Sequence, residues 1–445
     1  MVYYIDEIPI LAEDDRTANV KARDDITQIL RNAGFSGIKI SYDVQRKGNR
    51  SFLVQLKEHR AIYRDWKTKT RNLKGGDTLI VQFPPFTHSL FLHREFHRLK
   101  LRGVRQIAIL HDVELLRGVR RKTKSLKTRM RKYIEESMCL KCFTRLIVHN
   151  GIMQEKIGKL LHLSEEKMIP LGIFDYLVPG SDSKEAVGRN EGIVIAGNLL
   201  REKAGYVYHL PEGIKWNLFG VNYTGSAAGE SAAGSTSETG GESAAGSTSE
   251  TGGEAAVGST SETGGESAAG STSETGSKSA AAGASETGRT TNAEGTSSAG
   301  RAGDPENKAG AGVTYYGSLP PSEIAAGLRG SFGLVWDGSE TKECAGVYGE
   351  YLMYNNPHKT SLYLAAGLPV IIWKKAALAS FIRTEGAGFA VDSLGEIRSR
   401  LDSLTESEYI KMQDNARRIG KNLKSGFYTK RALTAAGVHF QRGSI

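Results

Sequence analysis

Short runs rich in Val, Ile, Leu and aromatic residues, each followed by a helix-length amphipathic stretch, recur along this 445-residue chain and restrict its fold more than any other feature. VYYI (2–5), GIKIS (37–41), TLIVQF (78–83), RQIAILHD (105–112) and RLIVHN (145–150) form a first series, with SLFLHREFHRLKLRG (89–103) a representative spacer. GIVIAGN (192–198), IKWNLFG (214–220), TYYG (314–317), FGLVWDG (332–338), PVIIW (369–373) and GFAV (388–391) form a second. Continuous apolar runs mark strands buried on both faces, and the helices between them act as crossovers. The pattern predicts an α/β chain of two doubly wound domains. The stretch LGIFDYLVPGSDSKEAVGRNEG, rich in Gly, Pro and Ser, divides them near 172–190, giving domains over 1–175 and 176–445. Two such domains facing each other form a cleft that takes ligand at the carboxyl ends of the strands.

The alternation breaks once. From 228 to 275 a twelve-residue unit, best seen as GGESAAGSTSET (240–251), repeats four times and then decays. Residues 225–312 hold 20 glycines, no Phe, Tyr or Trp, and 12 acidic against 4 basic side chains. With almost nothing to bury, an ordering entropy of ~1–2 kcal/mol per residue goes unopposed. The segment is expected to be a disordered low-complexity insertion within the second domain, because strand-like sequence flanks it on both sides. It also distorts the averages: the whole chain carries a formal charge of +10, and the remaining 357 residues carry +18.

Other classes are excluded by what is missing. No run of ~18 apolar residues supports a membrane-spanning helix. MVYYIDE has neither a basic nor an apolar leader region, so a cytoplasmic location is expected. Three cysteines make no disulfide framework, and the Cys139/Cys142 pair lacks the partners of a zinc site, so both read as ordinary helix residues and no metal is expected. RGVRRKTKSLKTRMRK (117–132) holds nine basic residues and no acid. It reads as a solvated basic surface or as a dock for an anionic membrane or acceptor; without interleaved aromatics, nucleic acid is the weakest reading.

Four places carry candidate chemistry. In YNNPHKTSLYLAAGLPVIIW (354–373), Asn356 suits an N-cap, Pro357 a first helical position and Gly367 the residue after the helix. The first turn would offer backbone N–H groups, Lys359 and the hydroxyls of Thr360 and Ser361 to a diphosphate, or else be a capped structural helix with a solvated lysine. IAGNLLREKAG (195–205) ends a strand and supplies Arg201 and Lys203; Arg201 offers a planar fork to phosphate. YYGSLPPSE (315–323) brings Tyr316, Gly317 and Ser318 to a turn. In the first domain, His111 and Asp112 close a strand, Thr17 precedes a helix, and Asn150 is placed to cap the helix that starts near 152.

The succession of QFPPF (82–86), AILHDVELLR (108–117), VHNGIMQEKI (148–157), AGNLLR (196–201), GSFGLVWDG (330–338) and YNNPHKTSLYLAAGLPVI (354–371) resembles bacterial β-1,6-galactofuranosyltransferases, whose relatives include glucosyltransferases that extend O-glycans on serine-rich repeat adhesins. The resemblance covers the chain outside 225–312. It implies a GT-B fold of two Rossmann-like domains, with a UDP-sugar in the second and a glycan or glycolipid-type acceptor against the first. Onto this sequence it carries Pro357, His358, Lys359, Thr360, Ser361 and Leu362 at the diphosphate helix, Arg201 as a donor-binding arginine, Tyr316, Gly317, Ser318 and Leu319 at the uridine turn, and Thr17 at the nucleotide. It also implies a homo-oligomer; a peripheral place at the inner face of the membrane is an expectation from the basic stretch 117–132. The acidic pair found in many retaining relatives is replaced here by Tyr354 and Leu362, so Asp112 is the carboxylate proposed for catalysis, with Asp337 and Glu350 as substitutes. The expected activity is hexosyl transfer from a UDP-sugar without a metal cofactor; the alternative is a non-catalytic partner that binds sugar nucleotide or glycan.

Overall fold

The computed structural model describes residues 1–10, 18–42, 51–87, 89–117, 135–178, 188–225 and 312–440. The first sheet contains β1 (Val2–Pro9), β2 (Ser36–Tyr42), β3 (Thr78–Phe83), β4 (Arg105–Leu110), β5 (Arg145–Val148) and β6 (Met168–Pro170), in the order β2-β1-β3-β4-β5-β6. The second contains β7 (Ile193–Asn198), β8 (Trp216–Val221), β9 (Val313–Tyr315), β10 (Phe332–Val335), β11 (Val370–Trp373) and β12 (Gly388–Val391), in the order β12-β11-β10-β7-β8-β9. Every neighbouring pair is parallel. The strand order reverses between β1 and β3 and again between β7 and β10, and crevices open at such reversals at the carboxyl edge of each sheet. β6, three residues long, was not anticipated from the sequence.

Burial follows the apolar patterning. One apolar cluster runs from Tyr4, Ile80 and Ile107 through Phe174 and Tyr176 of the connecting segment into Ile195, Leu334 and Ile371 of the second sheet. The other face of the first sheet buries Leu79, Val81 and Ala108 against Phe96 and Leu99 of the helix Leu92–Leu101. The chain finally returns to the first sheet. The helix Phe427–Ala435 starts where Asp175 accepts from the backbone N–H groups of Tyr428 (3.1 Å) and Thr429 (2.6 Å), and Arg105 donates to Gly437 O just beyond it.

Both sheets belong to one unit of the chain, which leaves out 228–301. β8 and β9 are adjacent in the second sheet, with Trp216 paired to Val313, so the chain between them is a crossover inside one sheet. The repeat insertion 225–312 lies outside the described residues apart from its two end positions, as do Thr17 and all of 117–132 except Arg117. Among the described residues no helix is long and apolar enough to cross a membrane.

Candidate active site

A cavity of about 410 Å³ opens where the carboxyl edges of the two sheets meet, and residues of both line it. That volume lies in the ~300–1,000 Å³ range of small-molecule sites.

On the second-domain side the central element is the helix His358–Ala365. It ends as expected: Ala366 is the C-cap and Gly367 takes φ +76°, a conformation glycine adopts without strain. Its start differs from expectation by one residue. Pro357 is the N-cap, with no side-chain cap bond, and Asn356 turns its side chain away to other partners described below. The Thr360 N–H bonds to Pro357 O (2.9 Å), and the N–H groups of His358 and Lys359 stand at the helix start, where no intrahelical acceptor exists. Lys359 Nζ lies 2.7 Å from Asp337 Oδ1 and 3.1 Å from Trp336 O. Ser361 Oγ donates to Phe174 O (2.6 Å), and Thr360 is fully buried; neither lines the cavity, whereas Pro357, His358, Lys359 and Leu362 do.

Two glycines shape the wall beside Lys359. Gly197 at the end of β7 and Gly220 on β8 approach so closely that a Cβ on Gly220 would stand 1.7 Å from Gly197 O. Lys203 follows on the short helix Arg201–Ala204 and lines the cavity. Burial lowers its pKa, partly offset by Asp337, and it senses the charge of Lys359. Arg201 sits apart: it is exposed, does not line the cavity, and stacks its guanidinium 4.3 Å from the Tyr208 ring centroid. Tyr316 stacks on Phe219 (4.8 Å), and Gly317 with φ +73° accepts from Gly220 N–H; of the four residues expected here Ser318 and Leu319 reach the cavity, and Pro321 joins them.

The first-domain wall carries His111, Asp112, Arg117 and His149. β4 ends at Leu110, so His111 and Asp112 are both beyond the strand and both reach the cavity, which strict alternation would have forbidden. Gln82 Nε2 donates to Arg23 O and Thr27 Oγ1, so its Oε1 accepts from His111 Nε2–H at 2.7 Å. His149 Nδ1 accepts from Asn356 N–H (2.9 Å), which places the ring proton on Nε2, on the side of the Leu110 and His111 backbone. Burial depresses all three cavity imidazoles: His111 well below its usual value, His149 to about 4, and His358, with Lys21 adding to the effect, to about 3. They are neutral at pH 7. Asp112 is paired with Arg117 (3.2 Å), which lies 4.6 Å over the ring of Tyr351 from the second domain.

The lining therefore holds four cations (Lys21, Arg117, Lys203 and Lys359) against two carboxylates (Asp112 and Asp337). Sequence reasoning did not identify Lys21, His149, Arg117 or Tyr351 as cavity residues, since each is brought there by packing between elements distant in the chain. The cysteine reading agrees with the structure: Cys139 is buried and Cys142 donates to Met138 O within its helix.

The N-terminal domain of the glucosyltransferase 3-like family matches residues 3–173, and its C-terminal domain matches 282–436, in that order and together over nearly three quarters of the chain. The chain belongs to the glucosyltransferase 3-like family. β7, β8 and Lys203 precede the C-terminal match. The chain is 27% identical to the β-1,6-galactofuranosyltransferase WbbI of Escherichia coli strain K12 over 81% of this chain and 79% of that one. It is 37% identical to glucosyltransferase 3 of Streptococcus gordonii over 28% of this chain and 37% of that one. In fold it is similar to the sucrose-phosphate synthase of Thermosynechococcus elongatus, with a TM-score of 0.50 and 12% identity over 98% and 97% of the two chains. The architecture is the GT-B arrangement of two parallel-sheet domains, and the activity class of the family is glycosyl transfer.

Proposed function

We propose that this chain transfers a hexose from a UDP-linked donor to a glycan or glycolipid-type acceptor, with the donor diphosphate at the start of the helix His358–Ala365. One observation carries the reading. The N–H groups at that helix start, Lys359 and Lys203 gather beside the Gly197/Gly220 approach, and the lining as a whole has two more positive than negative side chains. A diphosphate ester supplies the matching charge, and the helix dipole favours it. Ser318 and Leu319 form the wall suited to the uridine, and the acceptor enters from the side of Asp112 and Arg117.

In the reaction the bond between the anomeric carbon and the diphosphate oxygen breaks, its electron pair leaving on the diphosphate, while an acceptor hydroxyl oxygen bonds that carbon. Lys359 and Lys203 stabilise the charge that develops on the leaving oxygen. Asp112 is the carboxylate on the acceptor side and the group to which the hydroxyl proton is assigned. Neutralisation by lysine makes a metal unnecessary in this reading.

The test is release of UDP from UDP-glucose, UDP-galactose, UDP-galactofuranose and UDP-N-acetylglucosamine, with the productive donor first sought by thermal shift. One donor should be consumed, in EDTA as well as in its absence, and Lys359→Ala should abolish turnover. Donor binding without turnover over a broad acceptor panel would replace this reading with that of a non-catalytic sugar-nucleotide-binding partner.

A further inference from the structure

The two walls of the cavity are joined by a buried polar network, two of whose members, His149 and Asn356, line the cavity, and which has no part in the transfer chemistry above. Asn150 and Asn356 are 8% and 3% exposed. Asn150 Oδ1 accepts from Met153 N–H (2.9 Å), capping the helix Gly151–Leu161, while its Nδ2 donates to Asn356 Oδ1 (2.8 Å) and Tyr354 O (3.0 Å). Asn356 Nδ2 donates to His149 O (2.6 Å) and Gly172 O (3.0 Å), and Asn356 N–H donates to His149 Nδ1. Both N–H donors and the oxygen of each amide are engaged. A buried network satisfied this completely has one geometry, because any shift leaves an unpaired polar group at a cost of about 1–3 kcal/mol.

We infer that Asn150 and Asn356 are positioning residues which fix the helix carrying Lys359 against the acceptor-side sheet, and that this clasp sets the approach of donor and acceptor. Asn356 lies three residues before Lys359 and directly before the cap Pro357, so the network holds the chain where the proposed diphosphate site begins. At its other end are β5 and Gly172 of the segment connecting the domains. The same contact fixes the tautomer of His149, whose residue lines the cavity. Transfer between groups bound on different domains requires reacting atoms ~3–3.5 Å apart, and a displacement of ~1 Å costs on the order of a hundredfold in rate.

The inference rests on the donor reading only for its kinetic arm. Asn150→Ser keeps an N-cap oxygen for Met153 and removes the cross-domain donor; Asn356→Ala removes the other half. In Asn150→Ser, backbone hydrogen exchange across 354–358, on the opposite domain, should quicken at least tenfold. The turnover number should fall tenfold or more with UDP affinity unchanged within twofold, and the double variant should be no worse than the poorer single one. Unaltered exchange, a loss of UDP affinity that accounts for the loss of turnover, faster exchange with normal turnover, or additive effects would each overturn it. Should Asn356→Ala fail to fold, Asn150→Asp, which retains the cap and sets a carboxylate against Asn356 Oδ1, takes its place and should lose more than Asn150→Ser. Should the wild type bind UDP and transfer nothing, the donor reading fails and the exchange measurement alone decides the clasp.

Discussion

At the residue scale, the chemistry proposed for the cavity depends on a few cations whose surroundings differ. Lys359 is held by Asp337 and Trp336 O, and Lys203 is half-buried near them with no ion pair among the described residues. Charge-assisted contacts of this kind are worth about 1.5–3 kcal/mol. On the donor reading Lys203→Ala therefore weakens UDP binding roughly tenfold to a hundredfold, and Arg201→Ala, whose side chain rests on Tyr208, costs less; calorimetric titration with UDP ranks them. A second expectation concerns acid. His149 is depressed from 6.5 to about 4, so between those values the unfolded chain binds a proton that the folded chain does not. Wild-type stability should fall relative to His149→Asn as the pH drops from 6.5 to 4, by about 3 kcal/mol in full, and denaturant unfolding at pH 7.5, 5.5 and 4.5 measures it. Lys359 was legible in the sequence because a marked helix start points to it. His149 was not: a histidine ending a strand carries no sign of the backbone N–H, more than two hundred residues away, that selects its tautomer.

Elements were more legible than their ends. Apolar runs located eleven of the twelve strands among the described residues, since burial on both faces leaves a continuous signature, whereas the three residues of β6 are too few to carry one. One end escaped because the side chain expected to cap it is engaged elsewhere. Asn356 is of a residue type that suits an N-cap and spends its amide on His149 O and Gly172 O, so Pro357 is the cap and the helix begins one residue late, at His358. Asn150 does cap, and in addition reaches across to Tyr354 O and Asn356. Nothing in the sequence around Gly220 singles it out, and the β7–β8 approach makes it indispensable. Gly220→Ala would force a methyl group to 1.7 Å from Gly197 O with φ at +150°, and the strands must separate to admit it. Loss of at least 3 kcal/mol of stability, or failure to accumulate as soluble protein, is expected in chemical denaturation and expression trials.

For the whole molecule, the division into two sheets around a cleft was readable from periodicity, and the pairing of walls across that cleft was not, because it depends on contacts such as Arg117 over Tyr351 that have no local signal. The same scale bears on the repeats. Removing residues 240–275 takes out three of the four twelve-residue units and still leaves far more than the dozen residues a parallel crossover needs. Such a chain should melt within ~2 °C of the parent and release UDP at the parental rate, because each doubling of loop length changes closure entropy by only ~0.6 kcal/mol. Differential scanning fluorimetry and the UDP assay check both. The parallel pairing of β8 with β9 adds a constraint that the repeats themselves do not show. Chain leaving β8 at Val221, beside the cavity, must re-enter at Val313 on the opposite edge of the sheet, ~20 Å away along six residues of strand. Both anchorages are set by the sheet, so the distance the inserted chain must bridge is fixed by β8 and β9 whatever the number of repeats between them.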